Sequence, residues 1–181
     1  MMSIQIENGT PAPVKIYVAG PDVFSPEYAA IKQRIKALCQ KAGFTALCPA
    51  DDDVTPAPGQ VFSEAIFEQN SQMIQQADYV MANVANFRGY EPDSGTIYEC
   101  GYARGLGKKV WCYNVPYATL LEQIPQRSPG RDSEGRIIED FGLGRNLMIA
   151  HGCSLVHGDA ADCIAAIWDW HNSQAAQVGT R

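Results

Sequence analysis

The chain has 181 residues, of which 46% are hydrophobic and 19% are charged, and its formal net charge is −6. This length and apolar content are typical of one folded domain with a sizeable core. No basic cluster follows a helix or loop, which argues against a nucleic-acid surface. No apolar run is long enough for a membrane span. We expect residues 1–13 to be a disordered lead-in without a signal peptide, 14–172 a single domain, and 173–181 a tail.

The cysteines and histidines give no metal-binding pattern. The six cysteines are scattered without a Cys-x-x-Cys pair, and several fall in apolar runs. Such cysteines are typical of reduced, buried thiols in a cytoplasmic protein. The three histidines lack i,i+4 spacing, so we expect no metal site. No glycine-rich phosphate loop follows the first strand, and the sequence predicts no cofactor.

The predicted elements alternate between strand and helix. Short apolar runs predict strands at 14–20, 44–48, 78–84, 108–114 and 154–157. The predicted helices cover about 26–42 (with Ser25 as N-cap), 61–76, 94–107, 116–123, 146–149 and 159–171, and 127–144 is a long irregular loop. This alternation favours an α/β fold, a flavodoxin-like doubly wound sheet of five parallel strands in the order 2-1-3-4-5.

Two carboxylates follow the third predicted strand, at the sheet edge where ligands bind in such folds. Glu99 lies just inside a helix start, so we expect the helix dipole to keep it ionised, whether as a nucleophile or only as a dipole-satisfying glutamate. Asp93 is either a helix N-cap or a functional acid. The glycines Gly95, Gly101 and Gly105 would permit close approach around them. A carboxylate nucleophile with a second group that protonates the leaving group is the requirement of glycosyl transfer.

Two aromatic residues near the first predicted strand could serve the same site. In a 2-1-3 order the first and third strands are neighbours, so Tyr17 could donate a hydrogen bond to Glu99, or could simply pack in the core. Phe24, in the loop after that strand, could stack on a flat base or anchor the loop.

Four segments together resemble the nucleoside 2-deoxyribosyltransferase family: residues 15–21, 70–78, 93–103 and 144–148. The third is the specific one, with an Asp and a Glu six residues apart followed by Gly-Tyr-Ala. The resemblance extends from about Lys15 to Trp170. It implies exchange of the base of a 2′-deoxynucleoside for a free nucleobase by double displacement, without metal or cofactor.

The resemblance also implies roles for individual residues. Glu99 matches the nucleophile that attacks C1′, Asp93 the residue that handles the proton of the base, and Tyr17 the tyrosine that positions the nucleophile. Asn70 matches a residue that binds the sugar hydroxyls. Further substrate contacts are expected from Gly20, Asp22, Phe24 and Gly95.

The resemblance further implies a homo-oligomer, at least a dimer, in which Asn146 and Met148 complete the site of a neighbouring subunit. Two alternatives stay open. A 2′-deoxynucleoside 5′-monophosphate N-glycosidase would use water in place of the second base, and Arg88 and Arg145 are available for a phosphate. A non-catalytic nucleotide-binding module on the same fold would not require Glu99.

Overall fold

The five predicted strands form one parallel sheet. The computed structural model describes residues 13–178, so the expected lead-in lies almost entirely outside the described residues. The strands are β1 (Lys15–Ala19), β2 (Thr45–Leu47), β3 (Tyr79–Asn83), β4 (Lys109–Tyr113) and β5 (Ser154–Leu155), in the order β2-β1-β3-β4-β5. The predicted flavodoxin-like order is therefore confirmed. Tyr17 of β1 lies opposite Val80 of β3, so the carboxyl ends of these central strands are adjacent.

Helices cover both faces of the sheet, as an all-parallel sheet requires. They are α1 (Tyr28–Lys41), α2 (Phe62–Gln76), α3 (Ser94–Gly105), α4 (Leu120–Gln123), α5 (Leu147–Gly152) and α6 (Ala160–Val178). Buried residues of α1 and α6 belong to one hydrophobic cluster, and those of α2, α3 and α5 belong to the other. Within residues 13–178, no helix combines the length and apolarity that a membrane crossing needs.

Alternation along the strands divides the core between the two faces. Ile16 and Val18 of β1 pack towards α1 and α6, whereas Tyr17 and Ala19 pack towards α2 and α3. Because Tyr17 points to the same face as α3, the fold directs its hydroxyl to the helix that carries Glu99.

The largest departures from the predicted elements lie at helix ends. The expected N-cap Ser25 is wrong: residues Pro21–Phe24 form a 3-10 turn, and α1 begins only at Tyr28 with Glu27 at its N-cap. The predicted end of the last helix near His171 is also wrong, because α6 continues to Val178. Of the predicted helix 116–123 only the end is helical, where Thr119 and Glu122 form a reciprocal capping box.

Candidate active site

A short hydrogen bond joins β1 to α3 at the carboxyl edge of the sheet. The hydroxyl of Tyr17 donates to Oε1 of Glu99 over 2.6 Å. Tyr17 is fully buried, whereas Glu99 is only partly buried and reaches the surface of a cleft. The predicted hydrogen bond is thus present, and it fixes one carboxylate oxygen while Oε2 lies outside this bond.

Burial controls the charge of Glu99. Desolvation raises its pKa from 4.5 to about 7, the hydrogen bond from Tyr17 opposes this rise, and the charge of Asp93 adds to it. The expectation that the helix dipole keeps Glu99 ionised is wrong. Glu99 lies beyond the first turn of α3, whose unpaired N–H groups belong to the residues before it. Near neutral pH the carboxyl therefore divides between its ionised and protonated forms.

Asp93 caps the helix that carries Glu99. Its Oδ2 accepts 2.9 Å hydrogen bonds from both the backbone N–H and the hydroxyl of Thr96. The cap interpretation of Asp93 is therefore correct, and Ser94 is the first residue of α3. Asp93 also lines the same cleft as Glu99, so capping and a chemical role are compatible.

At two of the positions near the site, a residue larger than glycine would crowd neighbouring atoms. A Cβ at Gly20 would lie 2.9 Å from both Asn83 Cβ and Asp22 Oδ2, and one at Gly95 would lie 3.2 Å from Asp93 Oδ2. Gly101 and Gly105 have no such packing reason, because a Cβ at either would meet nothing within 4 Å among the described residues.

The two carboxylates open into a cleft of about 590 Å³. This volume falls in the range of small-molecule sites. Its walls come from the loops after β1 and β2 and from the starts of α2 and α3. The lining residues are Gly20, Val23, Phe24, Pro49, Ala50, Asp52, Asp53, Val54, Phe62, Ile66, Gln69, Asn70, Asp93, Gly95, Thr96 and Glu99.

Two residues that line this cleft have amide oxygens without protein partners. Within residues 13–178, Gln69 Oε1 and Asn70 Oδ1 are buried and accept no hydrogen bond. Buried polar atoms are normally paired, so each unpaired oxygen indicates a partner other than a protein atom, such as a buried water molecule. Asn70 was predicted to bind the substrate, and its position in the cleft is compatible with that role. Gln69 was missed, because nothing in its local sequence distinguishes it from the other glutamines of α2.

Phe24 and Asp22 have different surroundings although they share one turn. The ring of Phe24 lines the cleft and stacks on Phe87 with centroids 5.5 Å apart, and the guanidinium of Arg88 lies over both rings. Asp22 does not line the cleft. Its Oδ2 instead accepts a 3.0 Å hydrogen bond from Asn83 Nδ2. The structure therefore gives no direct support to Asp22 as a base contact.

Asn146 and Met148 do not belong to the cleft of their own chain. The Asn146 side chain caps α5 by accepting from Met148 N, and it donates to the carboxylate of Glu139. Met148 is 74% exposed. Their predicted contribution to a neighbouring subunit stays a prediction.

Arg145 is not available for a phosphate. It is completely buried, and its guanidinium donates to the carbonyl of Val84, to Asn86 Oδ1 and to the carbonyl of Tyr90. Arg145 thus anchors the loop between β3 and Asp93. Of the two arginines proposed for a phosphate, only Arg88 is exposed.

Three of the cysteines that look scattered in the sequence converge in space. All six are free thiols, and the Sγ atoms of Cys100, Cys112 and Cys153 lie within 4.8 Å of one another. They come from α3, β4 and the end of α5, so their sequence spacing carries no ligand motif. Within the described residues this is the group whose side chains could hold a metal ion.

Comparison with known proteins identifies the family. A profile described as nucleoside 2-deoxyribosyltransferase matches residues 16–148. The solved structure of a 2-deoxyribosyltransferase from Leishmania mexicana has a TM-score of 0.73 and 31% sequence identity, and the match covers 88% of this chain and 99% of that one.

Two further matches share less sequence with this chain. A 2-deoxyribosyltransferase from Bacillus psychrosaccharolyticus shares the fold at a TM-score of 0.54 and 21% identity, over 82% of this chain and 89% of that chain. An uncharacterised protein of Schizosaccharomyces pombe is 24% identical over an alignment of 155 positions, and the match covers 74% of this chain and 74% of that one. Because the family profile matches well over half of its length, the chain belongs to the nucleoside 2-deoxyribosyltransferase family of enzymes.

Proposed function

We propose that this enzyme transfers the 2-deoxyribosyl group of a 2′-deoxynucleoside from one nucleobase to another, as a step of nucleoside salvage, through a covalent ester on Glu99. The observation that carries the proposal is the hydrogen bond between Tyr17 and Glu99 inside the cleft. It supports a carboxylate that is held in one orientation and still faces a ligand, as a nucleophile requires.

In the first half-reaction, Oε2 of ionised Glu99 attacks C1′ of the sugar. The C1′–N bond breaks, the bond between Glu99 and C1′ forms, and Asp93 transfers a proton to the departing base. In the second half-reaction the incoming base attacks C1′, the ester breaks, and the proton of the incoming base returns to Asp93. Two inversions at C1′ give overall retention.

The cleft offers a separate group for each part of the substrate. The amide side chains of Gln69 and Asn70, which line the cleft, would bind the sugar hydroxyls. The exposed ring of Phe24, supported by Phe87 beneath it, offers a flat apolar surface for either base. The 5′ end of the sugar would meet Asn146 and Met148 of a neighbouring subunit in a homo-oligomer. The exposure of Met148 supports that arrangement.

The experiment uses the full chain with 2′-deoxyinosine and free adenine, and separately with a pyrimidine donor. Formation of 2′-deoxyadenosine is the expected result. With donor alone, intact-mass measurement should show the mass of one 2-deoxyribosyl group added to Glu99, and the isosteric Glu99→Gln variant should show neither the adduct nor exchange. Release of free deoxyribose at the same rate with and without adenine would indicate a hydrolase, and binding without turnover a non-catalytic module.

The shared site has its own test. Asn146→Ala and Glu99→Ala each leave a homo-oligomer without working sites. Mixed oligomers, formed by unfolding and refolding the two variants together, should recover part of the exchange activity, because some sites then combine an intact Glu99 with an intact Asn146 from the neighbour. No recovery in verified mixed oligomers would contradict the shared site.

A further inference from the structure

The thiol triad Cys100, Cys112 and Cys153 lies on the same face of the sheet as the active site, but outside the cleft. Cys100 and Cys112 are almost completely buried, whereas Cys153 is partly exposed. We propose that the thiol triad binds one thiophilic metal ion such as Zn²⁺ through three thiolates. This proposal is independent of the proposed transferase chemistry.

The geometry of the sulfur atoms fits such an ion closely. Three sulfurs that bind one zinc ion at about 2.3 Å lie roughly 3.8–4.0 Å from one another. The three Sγ atoms already lie within 4.8 Å of one another, so a contraction of at most about 1 Å completes the coordination. Rotation of the cysteine side chains provides that movement without a change in the sheet.

The elements that carry the three thiols are rigidly connected. Cys112 lies in β4, where Leu155 of β5 is its register partner, and Cys153 directly precedes β5. The N–H of Cys153 closes α5 by donating to the carbonyl of Ile149. Cys100 lies on α3, which packs against both β4 and α5. The site is therefore held by backbone hydrogen bonds and helix packing, as a preorganised ligand set requires.

The thiol triad has an opening to solvent and a suitable electrostatic environment. Cys153 lines a small surface pocket together with Arg104, Lys109 and His151. This pocket provides the path by which an ion would enter, and a water molecule would complete the coordination. Three thiolates around a divalent ion carry a net charge of −1, which the neighbouring Arg104 and Lys109 would stabilise. Thiolate ligands select soft ions over Mg²⁺ and Ca²⁺.

The test uses full-length protein that is reduced, freed of metal with a chelator and kept anaerobic. Titration with Cd²⁺ should give an ultraviolet thiolate-to-metal charge-transfer band that saturates at one equivalent, and an excess of Zn²⁺ should compete with Cd²⁺ for the site. Cys153→Ser should weaken binding at least about tenfold. The control is Cys48→Ser, because Cys48 is buried like Cys100 and Cys112 but lies outside the thiol triad. Its binding should equal that of the wild type.

A second measurement avoids any effect of substitution on folding. One equivalent of Zn²⁺ should slow the alkylation of Cys153 in the wild-type chain, as mapped by peptide mass spectrometry. The absence of a saturable band in the wild type, an unchanged affinity in Cys153→Ser, or equal alkylation rates with and without Zn²⁺ would each overturn the proposal.

Discussion

The two faces of the sheet are built from the same strands but differ in the size of their side chains. The face towards α1 and α6 contains Phe44, Trp111 and Tyr113, with Tyr79 and Trp170 packed against them. The face towards α2, α3 and α5 is mostly Ala, Val and Cys, and Tyr17 is its fully buried aromatic residue. Large rings pack one face, whereas small residues leave room on the other for polar groups.

The two faces therefore differ in role: one packs large rings that stabilise the fold, and the other carries the groups of the active site. The rings of Tyr79, Trp111 and Trp170 meet edge to face with centroids 5.5–5.6 Å apart, a packing that contains no ionisable carboxyl. On the opposite face, burial raises the pKa of Glu99 to about 7, which means that the fold destabilises the charged form of this residue. We infer that packing on the face towards α1 and α6 stabilises the fold and offsets the free-energy cost of burying Glu99 on the opposite face.

The largest expected effect is the loss of activity in Glu99→Gln. The amide has the same size as the carboxyl but cannot form the ester, so exchange should fall by at least ~10⁴-fold, as for other covalent nucleophiles. Base exchange followed by chromatography measures it. The control is Glu64→Gln, an exposed carboxylate of α2 that does not line the cleft. Exchange in Glu99→Gln within tenfold of the wild type would exclude the covalent mechanism.

The second expected effect tests the opposite face. Trp111→Ala removes a ring that is 3% exposed, and the unfolding free energy should fall by about 3–5 kcal/mol. Urea denaturation measures this change, and Trp111→Phe should show a smaller loss. The activity per folded molecule should stay close to that of the wild type, because Trp111 lies on the other side of the sheet from Glu99. Loss of activity without loss of stability would contradict the separation of the two faces.

Most of the fold could be predicted from the sequence because short apolar runs of β-branched residues mark buried parallel strands. The ends of helices were less predictable. Pro26 is a good first residue of a helix, yet a 3-10 turn occupies Pro21–Phe24 and delays α1 to Tyr28. Similarly, α6 continues past His171, because no glycine or proline ends it there.

The chemistry of the site was partly predictable. A strand end, a helix start and a 2-1-3 order place Tyr17 beside Glu99. The thiol triad was not predictable, because its members are brought together by packing between α3, β4 and the end of α5 and have no characteristic spacing. The sequence also could not show whether Arg145 is buried or is exposed and available to a phosphate, because its burial depends on tertiary packing.

A third effect, of intermediate size, is the pH dependence of the free energy of unfolding, compared between the wild type and Glu99→Gln. In the folded chain the pKa of Glu99 is raised from 4.5 to about 7, so the folded state holds this proton more tightly than the unfolded state does. The contribution of Glu99 to stability is therefore fully present below pH 4.5 and is lost as the pH rises through 7. The lost amount corresponds to at most ~3 kcal/mol.

Glu99→Gln should accordingly match the wild type near pH 4.5 and be more stable at pH 8. Thermal and urea unfolding at both pH values measure the difference. Equal stability of the two proteins at pH 8 would show that burial does not raise the pKa of Glu99.

The smallest expected effect concerns Tyr17→Phe. The hydroxyl of Tyr17 lowers the pKa of Glu99 against the effect of burial, so its removal raises that pKa further and reduces the ionised fraction at neutral pH. We expect kcat/KM to fall roughly tenfold at pH 7, which corresponds to one hydrogen bond to a charged group. The acid limb of the pH profile of kcat/KM, which reports the free enzyme, should shift to higher pH.

Asp93→Asn should shift the acid limb of the pH profile in the opposite direction. Asn cannot transfer the proton of the base, so the rate of exchange should fall. In the remaining activity, removal of the Asp93 charge removes a contribution that raises the pKa of Glu99, so the acid limb should shift to lower pH, while the Asn side chain can still cap α3. A residue that acts only through packing would change the height of the profile without moving its limb. Shifts of the acid limb in the same direction for Tyr17→Phe and Asp93→Asn would therefore contradict an electrostatic role for this pair. Opposite shifts would show that these two side chains set the pKa of Glu99, on the face of the sheet where small residues leave room for polar groups.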